Sequence, residues 1–397
     1  MKSYQYIIIG GGMTGDAAVR GIRSRDTDGS IGLFSQESHP PYNRPPLSKN
    51  LWTGMKEEKI WRQTESQNID LYLSTEVTAI NPEKKEISTS DDKTFSYTKL
   101  LLATGGTPAK LPESPDGVMY YRTLDDYKHL RALSDAHESF LVIGGGFIGS
   151  EISAALANQG NRVSVIFPET GIGGLVFPAE LSAYLNQYYA DHGVEVLAGD
   201  VVESIDGQSG NYTVQTREGK TIQAETIVAG LGIRPNTGLA KSIGLDIDNG
   251  IKVDEYLRTS NPDIYAAGDV ARFYNPDLGH FLRVEHEENA NIQGMTAGQN
   301  MAGAEDKYEL LPMFYSDLFD LGYEAVGHTN ANMDIIVDWH TKYEEGVIYY
   351  LMEKSVRGVI LWGMFGKVGA ARELIARNSP VNPGELQGKI TAKTEAG

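Results

Sequence analysis

The chain contains no cysteine. That absence excludes disulfides, thiolate metal sites, cysteine-held iron–sulfur clusters and any internal dithiol relay. No metal centre is expected. Long apolar runs are also missing: none approaches the roughly 18–20 residues that a membrane-spanning helix needs. Cations are scarce, with 35 Lys and Arg against 53 Asp and Glu, for a net charge of −18. Nonspecific attachment to nucleic acid or to an anionic membrane needs a positive surface, so neither is expected. The N-terminus shows no charged leader before an apolar stretch, and the expectation is a cytoplasmic protein.

What the chain does have is glycine, 44 in 397 residues, within a globular composition that is 41% hydrophobic. The length predicts two or three domains. The glycines gather in one device spelled twice. The first copy is Ile7-Ile8-Ile9-Gly10-Gly11-Gly12-Met13-Thr14-Gly15, and the second is Leu141-Val142-Ile143-Gly144-Gly145-Gly146-Phe147-Ile148-Gly149. A buried strand, a glycine turn and a helix N-terminus form a cradle for pyrophosphate. Gly12 and Gly146 would admit the phosphates, and Gly15 and Gly149 would let helix and strand pack closely. Two copies point to two dinucleotides and to electron transfer between them.

Each copy has an acid where ribose is usually bound: Glu37, preceded by Gln36, and Glu169. A carboxylate at Glu169 repels the 2′-phosphate of NADP and so favours NAD. Between the cradles, Pro41 to Lys49 forms a proline-stiffened loop carrying Arg44 and Lys49. Strands are expected to end at Ala103-Thr104-Gly105, before Gly230-Leu231-Gly232, and at Gly268-Asp269. Asp269 reads either as a helix N-cap or as a flavin-binding acid. A helix is expected over 285–301 and an antiparallel sheet from Phe314 onward. Residues 363–376 would form a closing helix, and 379–397 a fraying tail.

Beyond these turns the chain resembles a known family. Pro41-Tyr42-Asn43-Arg44-Pro45-Pro46-Leu47-Ser48-Lys49 is similar to a signature of FAD-dependent reductases of the ferredoxin-reductase-like class, within the flavoprotein disulfide-reductase superfamily. Leu101 to Gly106 and Tyr265 to Asp269 look like two further flavin-domain landmarks. Arg283-Val284-Glu285-His286, Asn300 to Ala304, Met313 to Leu318, Gly322 to Gly327, Phe167-Pro168-Glu169 and Gly358 to Phe365 resemble the apoptosis-inducing-factor-like group.

The resemblance implies an α/β fold with two Rossmann-like domains and a C-terminal α+β domain built on an antiparallel sheet. The FAD-binding domain would comprise residues 1–118 and 246–312, the NAD(H)-binding domain 119–245 and the C-terminal domain 313–397. Hydride would pass from NADH to FAD N5 with no covalent nucleophile. Lys49 would stand beside the flavin with Glu151 as its acidic partner, and Phe147 would shield the ring. Glu285 and His286 would lie at the flavin–nicotinamide contact, with Tyr315 and Trp362 as further aromatic contacts. Lys49, Glu151 and His286 are the candidate catalytic groups.

The chain departs from the family at Gln36, where an acid is common. It also departs at Tyr343-Glu344-Glu345, which replaces a long insertion tied to dimer control. The electron acceptor is left open: a quinone, a small redox protein or oxygen. Two alternatives stand beside the reductase reading. One is an NADH-dependent ferredoxin or rubredoxin reductase component. The other is a redox sensor whose NADH-reduced charge-transfer state controls homodimerisation.

Overall fold

The structure is a computed structural model and describes residues 1–391. The chain divides into two compact units. The first comprises Met1–Pro45, Met55–Thr107 and Arg234–Pro312. The second comprises Pro46–Gly54, Pro108–Ile233 and the chain from Met313 onward.

The first unit is organised around the strand Lys2–Ile9, whose last four residues are all buried. Such a run needs cover on both faces, the habit of a parallel strand in a wound sheet. Its neighbours are Ile31–Phe34 on one side and Thr94–Leu102 on the other, both parallel, with Ile8 opposite Leu33 and Leu101. Asp70–Tyr72 and Ile264–Ala266 extend the parallel set. Val77–Asn81 and Glu86–Thr89 add an antiparallel edge. The helix Met13–Arg23 lies against the helix Glu287–Met301, where Gly294 and Gly298 have no room for a Cβ against the Thr14 and Ala18 carbonyls.

The second unit repeats the plan. Its sheet runs Val194–Ala198, Arg162–Phe167, Ser139–Ile143, Thr226–Ala229, Met119–Tyr120, and every pair is parallel. A separate five-stranded antiparallel sheet follows the order Met313–Leu318, Leu321–Gly327, Ser355–Trp362, Glu345–Met352, Asp334–Thr341. This is the two-Rossmann, antiparallel C-terminal architecture the sequence implied.

Two local expectations need correction. The closing helix begins at Val368, not Gly363, because Gly363 and Gly366 take φ of +63° and +73°, which no right-handed helix accommodates. The tail does not fray from Ser379: Val381 N–H donates to the Lys354 carbonyl at 2.9 Å, and Leu386 and Ile390 are buried. Residues 392–397 lie outside the described residues.

Candidate functional site: two dinucleotide cradles and a buried ion pair

In the first unit the strand ending at Ile9 turns through Gly10, whose φ of +122° is a left-handed region that glycine tolerates. A Cβ there would also strike the Ala103 carbonyl, and one on Gly15 would strike the Gly10 carbonyl. Those two glycines are demanded by packing. Gly12 is different. It caps the helix Met13–Arg23 without any side-chain hydrogen bond, and its hypothetical Cβ meets only Arg44 Nη2, at 3.9 Å. The first-turn N–H groups thus keep an open approach with a guanidinium above it, which suits a pyrophosphate.

Arg44 is held in place by an ion pair with Glu37, while the Tyr42 hydroxyl donates to Glu37 at 2.6 Å. Burial works against the Arg44 charge, but Tyr42, Glu37 and Asp269 outweigh it and hold its pKa above the ordinary arginine value. Gln36, by contrast, is exposed.

Asp269 follows Gly268, which has φ +77° and donates its N–H to the buried Gln293 Oε1 at 2.8 Å. Arg283 Nη1 donates to the Asp269 carbonyl at 3.1 Å and to Glu285 at 2.8 Å. His286 caps the helix Glu287–Met301. Burial pushes its imidazole down to about 4, with the Asp269 carboxylate pulling the other way. It is therefore neutral at pH 7. The Thr104-Gly105 turn is clasped by Asn236: Asn236 Nδ2 donates to the Thr104 carbonyl, Thr104 Oγ1 to the Asn236 carbonyl, and Asn236 N–H to the Gly105 carbonyl. Asn236 and Gln293 carried no motif in the sequence, and both hold these turns through hydrogen bonds between residues far apart in the chain.

The second cradle copies the first. Gly144 has φ +118° and abuts the Gly230 carbonyl, and a Cβ on Gly149 would strike the Gly144 carbonyl. Gly146 caps the helix Phe147–Asn158 with no side-chain hydrogen bond, and its hypothetical Cβ meets nothing within 4 Å. Phe147, Ile148 and Leu231 are exposed at this end, at 40%, 38% and 38%. Gly232 has φ +79°, and its carbonyl accepts from Ala109 N–H. Glu169 is half-buried, and its carbonyl accepts from Gly199 N–H at 2.8 Å.

Glu151 lies on the same helix, 4% exposed, and it is the acid in an ion pair with Lys49, itself 8% exposed. Ser48 Oγ and Ser316 Oγ also donate to this carboxylate. The Lys49 ammonium stands 5.5 Å from the Tyr315 ring centroid. A buried pair of this kind is costly to break by halves: removing one partner strands the other's charge, a loss of roughly 3–5 kcal/mol. The resemblance paired Lys49 with Glu151; the two serines escaped notice because nothing local marks them.

Trp362 is packed into the interior of the second unit. It is fully buried, stacked on Tyr323 at 5.6 Å, and its Nε1–H donates to the Tyr343 carbonyl at 2.8 Å. Its faces and its polar atom are committed to the core of the C-terminal sheet.

Residues 4–297 match the family model described as pyridine nucleotide-disulphide oxidoreductase. The chain belongs to that family. Residues 330–377 match a second model, the C-terminal region of mitochondrion-associated apoptosis-inducing factor. Mitochondrial apoptosis-inducing factor 1 of Dictyostelium discoideum is 33% identical, over 96% of this chain and 80% of that protein. The ferredoxin–NAD(+) reductase component of the anthranilate 1,2-dioxygenase system of Burkholderia cepacia is 32% identical over 97% of each. Among solved structures, a covalent putidaredoxin reductase–putidaredoxin complex superposes with TM-score 0.90 at 29% identity, covering 97% of this chain and 96% of that one.

This family member is thus an apoptosis-inducing-factor-like FAD- and NAD(H)-binding enzyme, an NADH-dependent oxidoreductase. Both open cradles fit dinucleotides. The disulphide chemistry in the family's description has no residues to run on here, since the chain has no cysteine. The expected cytoplasmic location does not stand: the C-terminal model and the Dictyostelium relative are both described as mitochondrial. Among the described residues no helix is long and apolar enough to cross a membrane.

Proposed function

We propose that this enzyme holds FAD at the Gly10–Gly15 cradle, takes NADH at the Gly144–Gly149 cradle, and delivers electrons to a small ferredoxin-type carrier protein. Similarity along nearly the full length of both chains to a ferredoxin–NAD(+) reductase component carries this reading. The superposition on a putidaredoxin reductase solved with putidaredoxin supports it further. The likeness to a water-forming NADH oxidase, at 23% identity, is one of fold and does not decide for oxygen.

Bound FAD would supply the one chemistry the side chains lack, taking a hydride as two electrons and releasing electrons singly. The protein's residues bind and tune. The first-turn N–H groups and Arg44 would hold the FAD pyrophosphate, with Asp269 set toward the flavin by Gly268 and Gln293. Glu169 would accept the adenosine ribose hydroxyls of NADH. By the family resemblance, the Lys49 ammonium, held by Glu151, would offset negative charge on the reduced flavin. His286, neutral at working pH, would offer a hydrogen bond without adding charge.

The test is anaerobic reduction by NADH followed by mixing with a ferredoxin-type [2Fe–2S] protein, a quinone panel or oxygen. Reoxidation by the carrier should be at least tenfold faster than by the others at equal concentration. With −18 on this chain, docking to an acidic carrier must use local cations, so its rate should change steeply with ionic strength. Faster reoxidation by a quinone or by oxygen would overturn the carrier reading.

A further inference from the structure

Glu151 receives three donors from two separate stretches of chain: Ser48 and Lys49 in the loop, and Ser316 in the strand Met313–Leu318. The geometry behind the third contact is regular. Phe147 and Glu151 stand four residues apart on the helix Phe147–Asn158, on one face and separated by about 6 Å of rise. Phe314 and Ser316 stand two apart on the strand, on one face and separated by about 6.8 Å. The two spacings nearly match. Phe314 meets Phe147 with ring centroids 4.8 Å apart, and Ser316 meets Glu151. A strand of the C-terminal sheet therefore reads the acid's helix one side chain for one side chain.

Ser316 is 1% exposed and Ser48 7% exposed, so neither hydroxyl is there to meet water. A carboxylate oxygen has room for more than one donor, and an ammonium on a flexible stem goes where its acid points. Without the serines, Glu151 could rotate about its last bond and carry the Lys49 ammonium with it. We infer that Ser316, assisted by Ser48, is a positioning residue that fixes the Glu151 carboxylate and through it the Lys49 ammonium. The inference rests on the reading that Lys49 tunes the flavin.

The test uses the FAD-loaded full chain and two readouts, the flavin midpoint potential and the rate of flavin reduction at saturating NADH. Ser316→Ala should slow reduction three- to tenfold and lower the midpoint potential, with NADH affinity unchanged, and Ser316→Thr should recover part of both. Lys49→Gln, which keeps a donor but drops the charge, should slow reduction at least as much. In the Lys49→Gln background, Ser316→Ala should then change neither readout. Ser48→Ala, with the same expected pattern at smaller size, stands in if Ser316→Ala does not fold. Should Lys49→Gln leave both readouts unchanged, the flavin-tuning reading fails and this inference falls with it. Should Lys49→Gln act while the serine variants match wild type, or should the effects simply add, the positioning role alone is overturned.

Discussion

A methyl group placed on Gly146 separates folding from binding. The space around its hypothetical Cβ is empty to 4 Å. Its backbone, at φ −81° and ψ −168°, is open to alanine. Alanine is a poorer N-cap than glycine by up to about 1 kcal/mol, and it returns about 0.4–1 kcal/mol by restricting the unfolded chain. The net change in stability for Gly146→Ala should therefore stay within about 1 kcal/mol. The same methyl occupies the approach to the helix's first-turn N–H groups. A pyrophosphate pushed outward there loses at least one charge-assisted hydrogen bond, worth about 1.5–3 kcal/mol, or roughly ten- to a hundredfold in NADH affinity.

Gly149→Ala supplies the contrast. Its Cβ would strike the Gly144 carbonyl, backbone against backbone with no flexible side chain to yield. Overpacking of this kind costs about 1–3 kcal/mol or more. Thermal unfolding of the FAD-loaded protein and anaerobic titration with NADH would measure both properties on both variants. A Gly146→Ala protein that binds NADH within twofold of wild type would refute the assignment of that cradle. Wild-type stability in Gly149→Ala would refute the packing argument.

Three further outcomes are expected. Trp362→Phe should cost about 1–2 kcal/mol in a urea melt, because it removes the donor to the part-buried Tyr343 carbonyl, and the KM for NADH should not move; a raised KM with intact stability would restore a cofactor role. Glu169→Arg should raise the NADPH-to-NADH ratio of kcat/KM at least tenfold, about 1.4 kcal/mol, by replacing repulsion of the 2′-phosphate with attraction; an unchanged ratio counts against the ribose assignment. In FAD-free protein, His286 stays neutral when folded down to about pH 4, while the unfolded chain takes up its proton below about 6.5. Its contribution is thus fully present above pH 6.5 and is lost as pH falls toward 4, at most roughly 3 kcal/mol. His286→Gln should flatten that part of the stability profile, and identical profiles would show that the imidazole is not so buried.

Both cradles were legible because each is a local object: a short apolar run, three glycines and a helix, all written within a few consecutive residues. Gly10 and Gly144 announce their turns because no other residue adopts that backbone without strain. Glu37 was half legible. Its place after the second strand suggested ribose, but its carboxylate is engaged by Arg44 and Tyr42, a partnership set by how the proline loop folds back. Trp362 was misleading because a family-like sequence context says nothing of which way a strand residue faces. The resemblance paired Glu151 with Lys49 but not with the serines: Ser48, Glu151 and Ser316 belong to three distant stretches, and serine in a strand has no periodicity to betray it. Only the meeting of a helix face with a strand face makes those hydroxyls visible.

The two cradles share a backbone but not a surrounding, and the difference bears on which tenant stays. Around Gly12 the protein supplies a guanidinium at 3.9 Å, anchored by an acid and a tyrosine and held cationic against burial. Around Gly146 it supplies nothing within 4 Å, and the neighbouring Phe147 and Ile148 are exposed. A fixed cation in a partly buried site holds a pyrophosphate far more firmly than helix N–H groups alone. The first cradle therefore suits a resident cofactor and the second a nucleotide that must leave after each hydride. Arg44→Ala should release FAD on dilution or gel filtration while leaving the second cradle's affinity for NAD+ unchanged. FAD retained at wild-type occupancy would mean that the asymmetry of charge is not what separates the two.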